Sequence, residues 1–185
     1  MNSDAWDTLE QRARWLLAHP NQGSPQELLQ GMSQLLRLWR YRRKGLLIAW
    51  SILLPGDRTG GRRALVREIA WNRPLDRRHD ASTVGSLKRR HSRHPSVRTR
   101  DAEVDQEELA PFLDWAAGLS PGWPGPTLPA TSAEDVYGLE GFQFLTHLRL
   151  EWTGDGPAEW AATRQRFDDF LKFLAAQLKE REIES

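Results

Sequence analysis

His91 and His94 stand in His91-Ser92-Arg93-His94, a spacing that can bring two imidazoles to one metal ion, with His79 or Asp80 as a further ligand. The neighbouring residues oppose that chemistry. Arg89, Arg90 and Arg93 raise the local positive potential and disfavour a divalent cation. His79-Asp80 lacks the further His and Asp ligands, on helices and in order, that a metal-assisted hydrolytic site needs. The carboxylate pairs Glu107-Glu108, Glu134-Asp135 and Asp168-Asp169 could do acid–base chemistry only if burial separated their pKa values; as surface charges they do none. No serine sits in a nucleophile elbow, and Gly60-Gly61 is not followed by the Lys-Ser or Lys-Thr of a phosphate loop. With no cysteine in the chain, disulfides, thiolate metal sites and Cys nucleophiles are excluded. No catalytic residue and no cofactor is expected from these patterns.

Charge is more informative. The net charge is +1, but residues 1 to 36 carry −2, residues 37 to 100 carry +14 and residues 101 to 185 carry −11. The segment from Arg73 to Arg100 holds nine Lys or Arg and three His against two Asp, enough to neutralise several phosphates of a nucleic acid. On that alternative Arg77, Arg78, Lys88, Arg89, Arg90 and Arg93 would make the contacts. No stacking motif, recognition-helix pattern or zinc-finger spacing accompanies them, and a solvated loop facing the acidic half accounts for the same residues. The run Leu35 to Lys44 mixes apolar anchors with five cations; it could meet an acidic partner or an anionic membrane, but a core helix ending in cations explains it as well. Trp123, inside Pro121-Gly122-Trp123-Pro124-Gly125-Pro126, either anchors an interface or pins its own loop.

These side chains need a scaffold, and the hydrophobic periodicity predicts one. Residues 4 to 18 read as an amphipathic helix on Leu9, Ala13, Leu16 and Leu17. Ser24-Pro25-Gln26-Glu27 reads as a capped helix start, with Leu28, Leu29, Met32, Leu35, Leu36 and Trp39 carrying a second helix to about Arg43. A hairpin of strands 45 to 54 and 63 to 72 follows, separated by the turn formers of 55 to 61. Residues 73 to 95 show little periodicity and read as a long basic loop, with a short strand near 96 to 103 beyond it. Asp105 caps a helix that Pro111 should kink and Gly118 should end, and residues 118 to 133 form a Pro/Gly-rich loop. Residues 142 to 152 alternate cleanly between faces, and 136 to 140 pair beside them across Gly141. A final helix runs from Gly156-Pro157 to about Glu182.

The expected fold class is therefore α+β: residues 1 to 185 as one domain. An antiparallel sheet of about 4–5 strands, two hairpins among them, carries helices mainly on one face, with two N-terminal helices and a long C-terminal one. The acidic N-terminus is no signal peptide, and the longest apolar run, Leu46 to Leu54, is too short to span a bilayer, so a cytoplasmic protein without a membrane span is expected. Charge segregation without catalytic motifs points to a non-catalytic protein-binding role, of the kind small bacterial immunity and inhibitor proteins perform; that is an analogy of fold class alone. The partner would meet the acidic residues Asp155, Glu159, Asp168 and Asp169, the exposed strand face at His147, Arg149 and Glu151, or Trp123. An enzyme whose site is assembled from distant residues stays open, because geometry defines many active sites.

Overall fold

The computed structural model describes residues 3–20, 29, 31–43, 45–56, 62–82, 94–119, 135–143 and 146–181. Helix α1 (Ser3–Ala18) precedes strands β1 (Met32–Tyr41), β2 (Leu47–Pro55) and β3 (Arg63–Trp71). Helix α2 (Arg73–Ser82), strand β4 (Val97–Asp105) and helix α3 (Gln106–Ala117) follow. Strands β5 (Val136–Gln143) and β6 (Thr146–Thr153) then lead through a 3-10 turn at Ala158–Trp160 into α4 (Ala161–Glu180). The strands form one antiparallel six-stranded sheet in the order β4-β3-β2-β1-β5-β6. The fold is α+β as expected, with six strands rather than 4–5.

The largest departure is the second N-terminal helix. Met32, Leu35, Leu36 and Trp39 of its apolar stripe belong to β1, an interior strand between β2 and β5. Leu36 and Leu38 of this strand face α3 and α4, while Trp39 faces α1, so both sides are buried and the sequence reads as a near-continuous apolar run rather than an alternation. A bulge between Gln34 and Leu36 blurs the period of two further. The helix start read at residues 24 to 27 lies outside the described residues. Helices also cover both faces rather than mainly one: Leu9, Ala13 and Leu17 of α1 pack on Trp39, Ala49, Ile69 and Trp71, whereas α3 and α4 pack on Leu38, Ile52, Val66 and Leu150 from the other side.

Two smaller corrections concern loops. The basic segment begins as helix α2, started by Asn72, whose side-chain oxygen accepts the Leu75 N–H at 3.1 Å. Asp76 then ties the helix down, accepting the Trp71 indole N–H at 2.7 Å and the Ser96 N–H at 2.9 Å. Residues 83 to 93 lie outside the description, as do 120 to 134. β5 runs through Gly141 to Gln143 and β6 begins at Thr146, so the reversal is not at Gly141 and Phe142 belongs to β5. Asp105 does precede α3 in extended geometry, but its side chain makes no capping hydrogen bond.

On the α1 face the middle of the sheet carries a polar row at six opposed positions: Asp101, Arg67, Ser51, Arg37, Glu140 and Arg149. Five of these, all but Arg149, are at most 8% exposed. Arg67 grips both carboxylate oxygens of Asp101 at 2.7 Å, and Arg37 meets Glu140 at 3.1 Å. Each arginine also donates to the end of α1, Arg37 to the Ala18 carbonyl at 3.1 Å and Arg67 to the Pro20 carbonyl at 2.8 Å. Cations thus satisfy carbonyls left open at the negative end of that helix.

Glu10 fixes the same helix from its side, accepting from Arg14 at 2.9 Å and Arg73 at 2.8 Å. Burial alone would raise its pKa, but the Arg14 hydrogen bond and the Arg73 charge outweigh it and hold the carboxyl below its ordinary value. A depressed folded pKa stabilises above the unfolded value, and that contribution disappears as pH falls from about 4.3 through the folded value. Glu10→Gln is expected to lose about 1 kcal/mol at neutral pH and to flatten the acid limb of stability against pH in urea titrations. An acid limb identical to wild type would rule Glu10 out as its source.

Candidate binding cleft

The face of the sheet toward α4 is not filled at its β1–β2 hairpin end. A cleft of about 540 Å³ opens there between β1, β2, β5 and β6 on one side and α4 on the other. Its α4 wall is one helical stripe: Arg164, Phe167, Asp168, Leu171, Lys172 and Ala175, at spacings of three and four. Arg40 at the end of β1 and Arg42 just beyond contribute the opposite wall with Ile48 and Trp50 of β2. Gly154 and Asp155 close one end, in a turn where Gly154 and Gly156 take positive φ of 52° and 61°, a conformation suited to glycine.

Aromatic packing makes the floor rigid. Tyr137 stacks on Trp152 with centroids 6.0 Å apart, and Phe167 meets Trp152 edge-on at 4.9 Å. The Trp50 indole N–H is held by Glu68 at 3.1 Å, and Arg100 donates to the same carboxylate. The Arg40 guanidinium lies 5.3 Å from the Tyr137 ring centre, a cation–π contact that fixes its position without neutralising it.

Charge decides what the cleft can hold. Four cations, Arg40, Arg42, Arg164 and Lys172, line it against two carboxylates, Asp155 and Asp168. Among the described residues Arg164 pairs with the exposed Asp155 alone, at 3.6 Å, and Lys172 turns to Asp169 at 3.2 Å. Arg40 meets no carboxylate among the described residues. The Nε atoms of Arg40 and Arg164 are both buried without an acceptor. Each unsatisfied N–H costs about 1–3 kcal/mol.

The expected partner residues are divided. Asp155 and Asp168 lie in the cleft, whereas Glu159 is exposed on the 3-10 turn. Asp169 is engaged on the α4 surface by Gln165 and Lys172, whose hydrogen bonds lower its pKa. Arg149 and Glu151 sit on the opposite face of the sheet, paired with each other at 3.1 Å. The His147 side chain lies outside the described residues, together with Trp123, Lys88, Arg89, Arg90 and Arg93. Arg77 and Arg78 are exposed on α2. Among the described residues no group of three His, Cys, Asp or Glu could hold a metal ion, and no helix is long and apolar enough to cross a membrane. Sequence reasoning missed Arg164 and Lys172 and placed Arg40 and Arg42 on a helix. Their signal was present in Arg40-Tyr41-Arg42, where two cations flank an aromatic residue and alternate as a strand requires.

The fold and the cleft together define a small α+β protein with a cationic, aromatic-floored cleft beside one sheet face. Comparison of the chain with family models, with characterised proteins and with solved structures finds no match.

Proposed function

We propose that this chain is a non-catalytic binding protein whose cleft receives an acidic segment of a protein partner. The observation that carries the reading is Arg40, held by Tyr137 on the cleft wall and without a carboxylate among the described residues. A planar guanidinium so placed is suited to bidentate capture of a carboxylate. Cations on both walls, with Asp155 and Asp168 among them, favour a segment bearing several side chains of mixed charge over a single small ion. Inhibition of that partner, in the manner of small immunity proteins, is one form this binding would take, and it rests on charge complementarity alone.

The nucleic-acid alternative draws less support, because much of the described basic charge is spent inside the fold. Arg67 pairs with Asp101, Arg73 with Glu10 and Arg100 with Glu68, whereas Arg98 stays largely exposed.

The test is affinity capture from the native host, identification of the stoichiometric partner, and titration of that partner against variants. Arg40→Ala and Arg164→Ala are each expected to weaken binding about 30-fold, the scale of an interface hot spot. Arg12→Ala, which removes an exposed cation from α1, should leave affinity unchanged. Equal losses in all three variants would reduce the effect to bulk charge, and unchanged binding in Arg40→Ala would end the proposal. Recovery of nucleic acid in place of protein would favour the alternative.

A further inference from the structure

The two edges of the sheet differ in what they allow. β6 ends the strand order, and the Gly154 N–H donates to the directly opposed Asp135 carbonyl at 3.0 Å. Antiparallel ladders alternate hydrogen-bonded with non-hydrogen-bonded pairs, so from this bond Trp152, Leu150 and Leu148 are the residues whose backbone groups bond β5. The N–H and C=O groups of His147, Arg149, Glu151 and Thr153 therefore point away from the sheet. Among the described residues the Thr153 carbonyl accepts from the Gly156 N–H at 2.9 Å and nothing pairs with the outward groups of His147, Arg149 and Glu151, and the strand carries no proline, lysine or bulge of the kind that blunts an exposed edge.

We infer that this edge pairs with the same edge of a second copy, antiparallel and centred on Leu150, to form a two-fold dimer with one continuous sheet. The register follows from charge. Only residues with outward backbone groups can exchange hydrogen bonds, so the pairing must set odd-numbered residues opposite odd-numbered ones. Centring on Arg149 would place that arginine against its own copy, and centring on Glu151 would place two glutamates together. Centring on Leu150 puts each Arg149 opposite the partner's Glu151, twice by symmetry. The two side chains already lie on one face, with Arg149 Nη2 3.1 Å from Glu151 in the same strand, so the four charges close into an alternating network. On the other face the same register sets Leu148 opposite the partner's Trp152 and Leu150 opposite the partner's Leu150.

The β4 edge is guarded against the same event. The Gln106 N–H donates to the Arg62 carbonyl at 2.9 Å, and the Asn72 N–H to the Ser96 carbonyl at 3.2 Å. The outward backbone groups of β4 accordingly belong to Val97, Thr99, Asp101, Glu103 and Asp105. Self-pairing of that edge centred on Asp101, Ala102 or Glu103 opposes acid with acid, which favours β6 as the associating edge.

The test is sedimentation equilibrium of the full chain from about 1 to about 200 µM, read as a monomer–dimer equilibrium. Arg149→Glu and Glu151→Arg each create two like-charge pairs and are expected to weaken the dimer about tenfold, and the double exchange should return it to within about threefold of wild type. Hydrogen exchange of the wild-type chain gives a second readout that needs no variant. The amides of Arg149 and Glu151 should gain protection with concentration, while those of Leu148 and Leu150, already bonded to β5, should not change. A chain monomeric throughout, a double exchange no better than its parents, assembly beyond the dimer or concentration-independent exchange at Arg149 and Glu151 would each overturn the inference. Because Arg40 lies on β1, two strands away from the β6 edge, Arg40→Ala should leave the dimer intact, so failure of one proposal is separable from failure of the other.

Discussion

Arg67→Ala is expected to cost about 3–5 kcal/mol, a large share of the total stability of an ordinary domain of about 5–15 kcal/mol. The side chain is fully buried, and its loss strands the Asp101 carboxylate, itself 8% exposed, which pairs with no other cation among the described residues. It also removes the donor that satisfies the Pro20 carbonyl at the end of α1. The cost comes from the orphaned charge rather than from the absolute worth of the pair. Arg67→Met together with Asp101→Leu should therefore recover most of the loss, apart from about 1 kcal/mol for the carbonyl. Urea unfolding of the three proteins decides it: a single variant within about 1 kcal/mol of wild type, or a double variant no better than the single, would show that the pair is not what holds this face.

The second large effect is expected at Gly138. A Cβ built there would overlap the Trp39 ring and come within 2.7 Å of the Leu150 carbonyl oxygen. Trp39 cannot swing aside, because Arg37 and Arg149 lie over its ring at 4.9 Å and 5.3 Å and the side chain is buried. Gly138→Ala should cost about 3 kcal/mol or more, the upper range for overpacking, since backbone as well as ring must move. Combining it with Trp39→Leu should make the two losses far less than additive. Simple additivity in thermal or urea unfolding would place the origin of the cost elsewhere.

What the sequence revealed follows from how many sides of each element are buried. β6 was legible because its edge position leaves one face partly wet: Leu148, Leu150 and Trp152 alternate with His147, Arg149 and Glu151. β1 was not, because α1 covers Trp39 while α3 and α4 cover Leu36 and Leu38, and a strand buried on both sides loses its alternation. α1 and α4 announced themselves through apolar stripes on otherwise polar helices. Helix α2 has no such stripe; it is held by single polar contacts from Asn72 and Asp76, which no periodicity records.

The cleft was half visible. Asp155 and Asp168 were recognised as candidates from charge alone, but Arg40 and Arg164 gain their character from what fails to reach them across the fold. A missing acceptor is a property of geometry, not of spacing.

The strand order also dictates a timetable. β1 to β4 are neighbours in both chain and sheet, so their pairings close short loops, whereas β5 must find β1 across roughly a hundred residues at a much greater entropic cost. Until that late docking, the outer margin of β1 is bare, and it presents Arg37, Arg40, Arg42 and Arg43, a cationic fringe that repels the same margin of another nascent chain. The β5–β6 hairpin then covers that fringe and leaves in its place a margin of mixed sign. The completed sheet thus ends on a margin of mixed sign where β1 alone would have offered a cationic one.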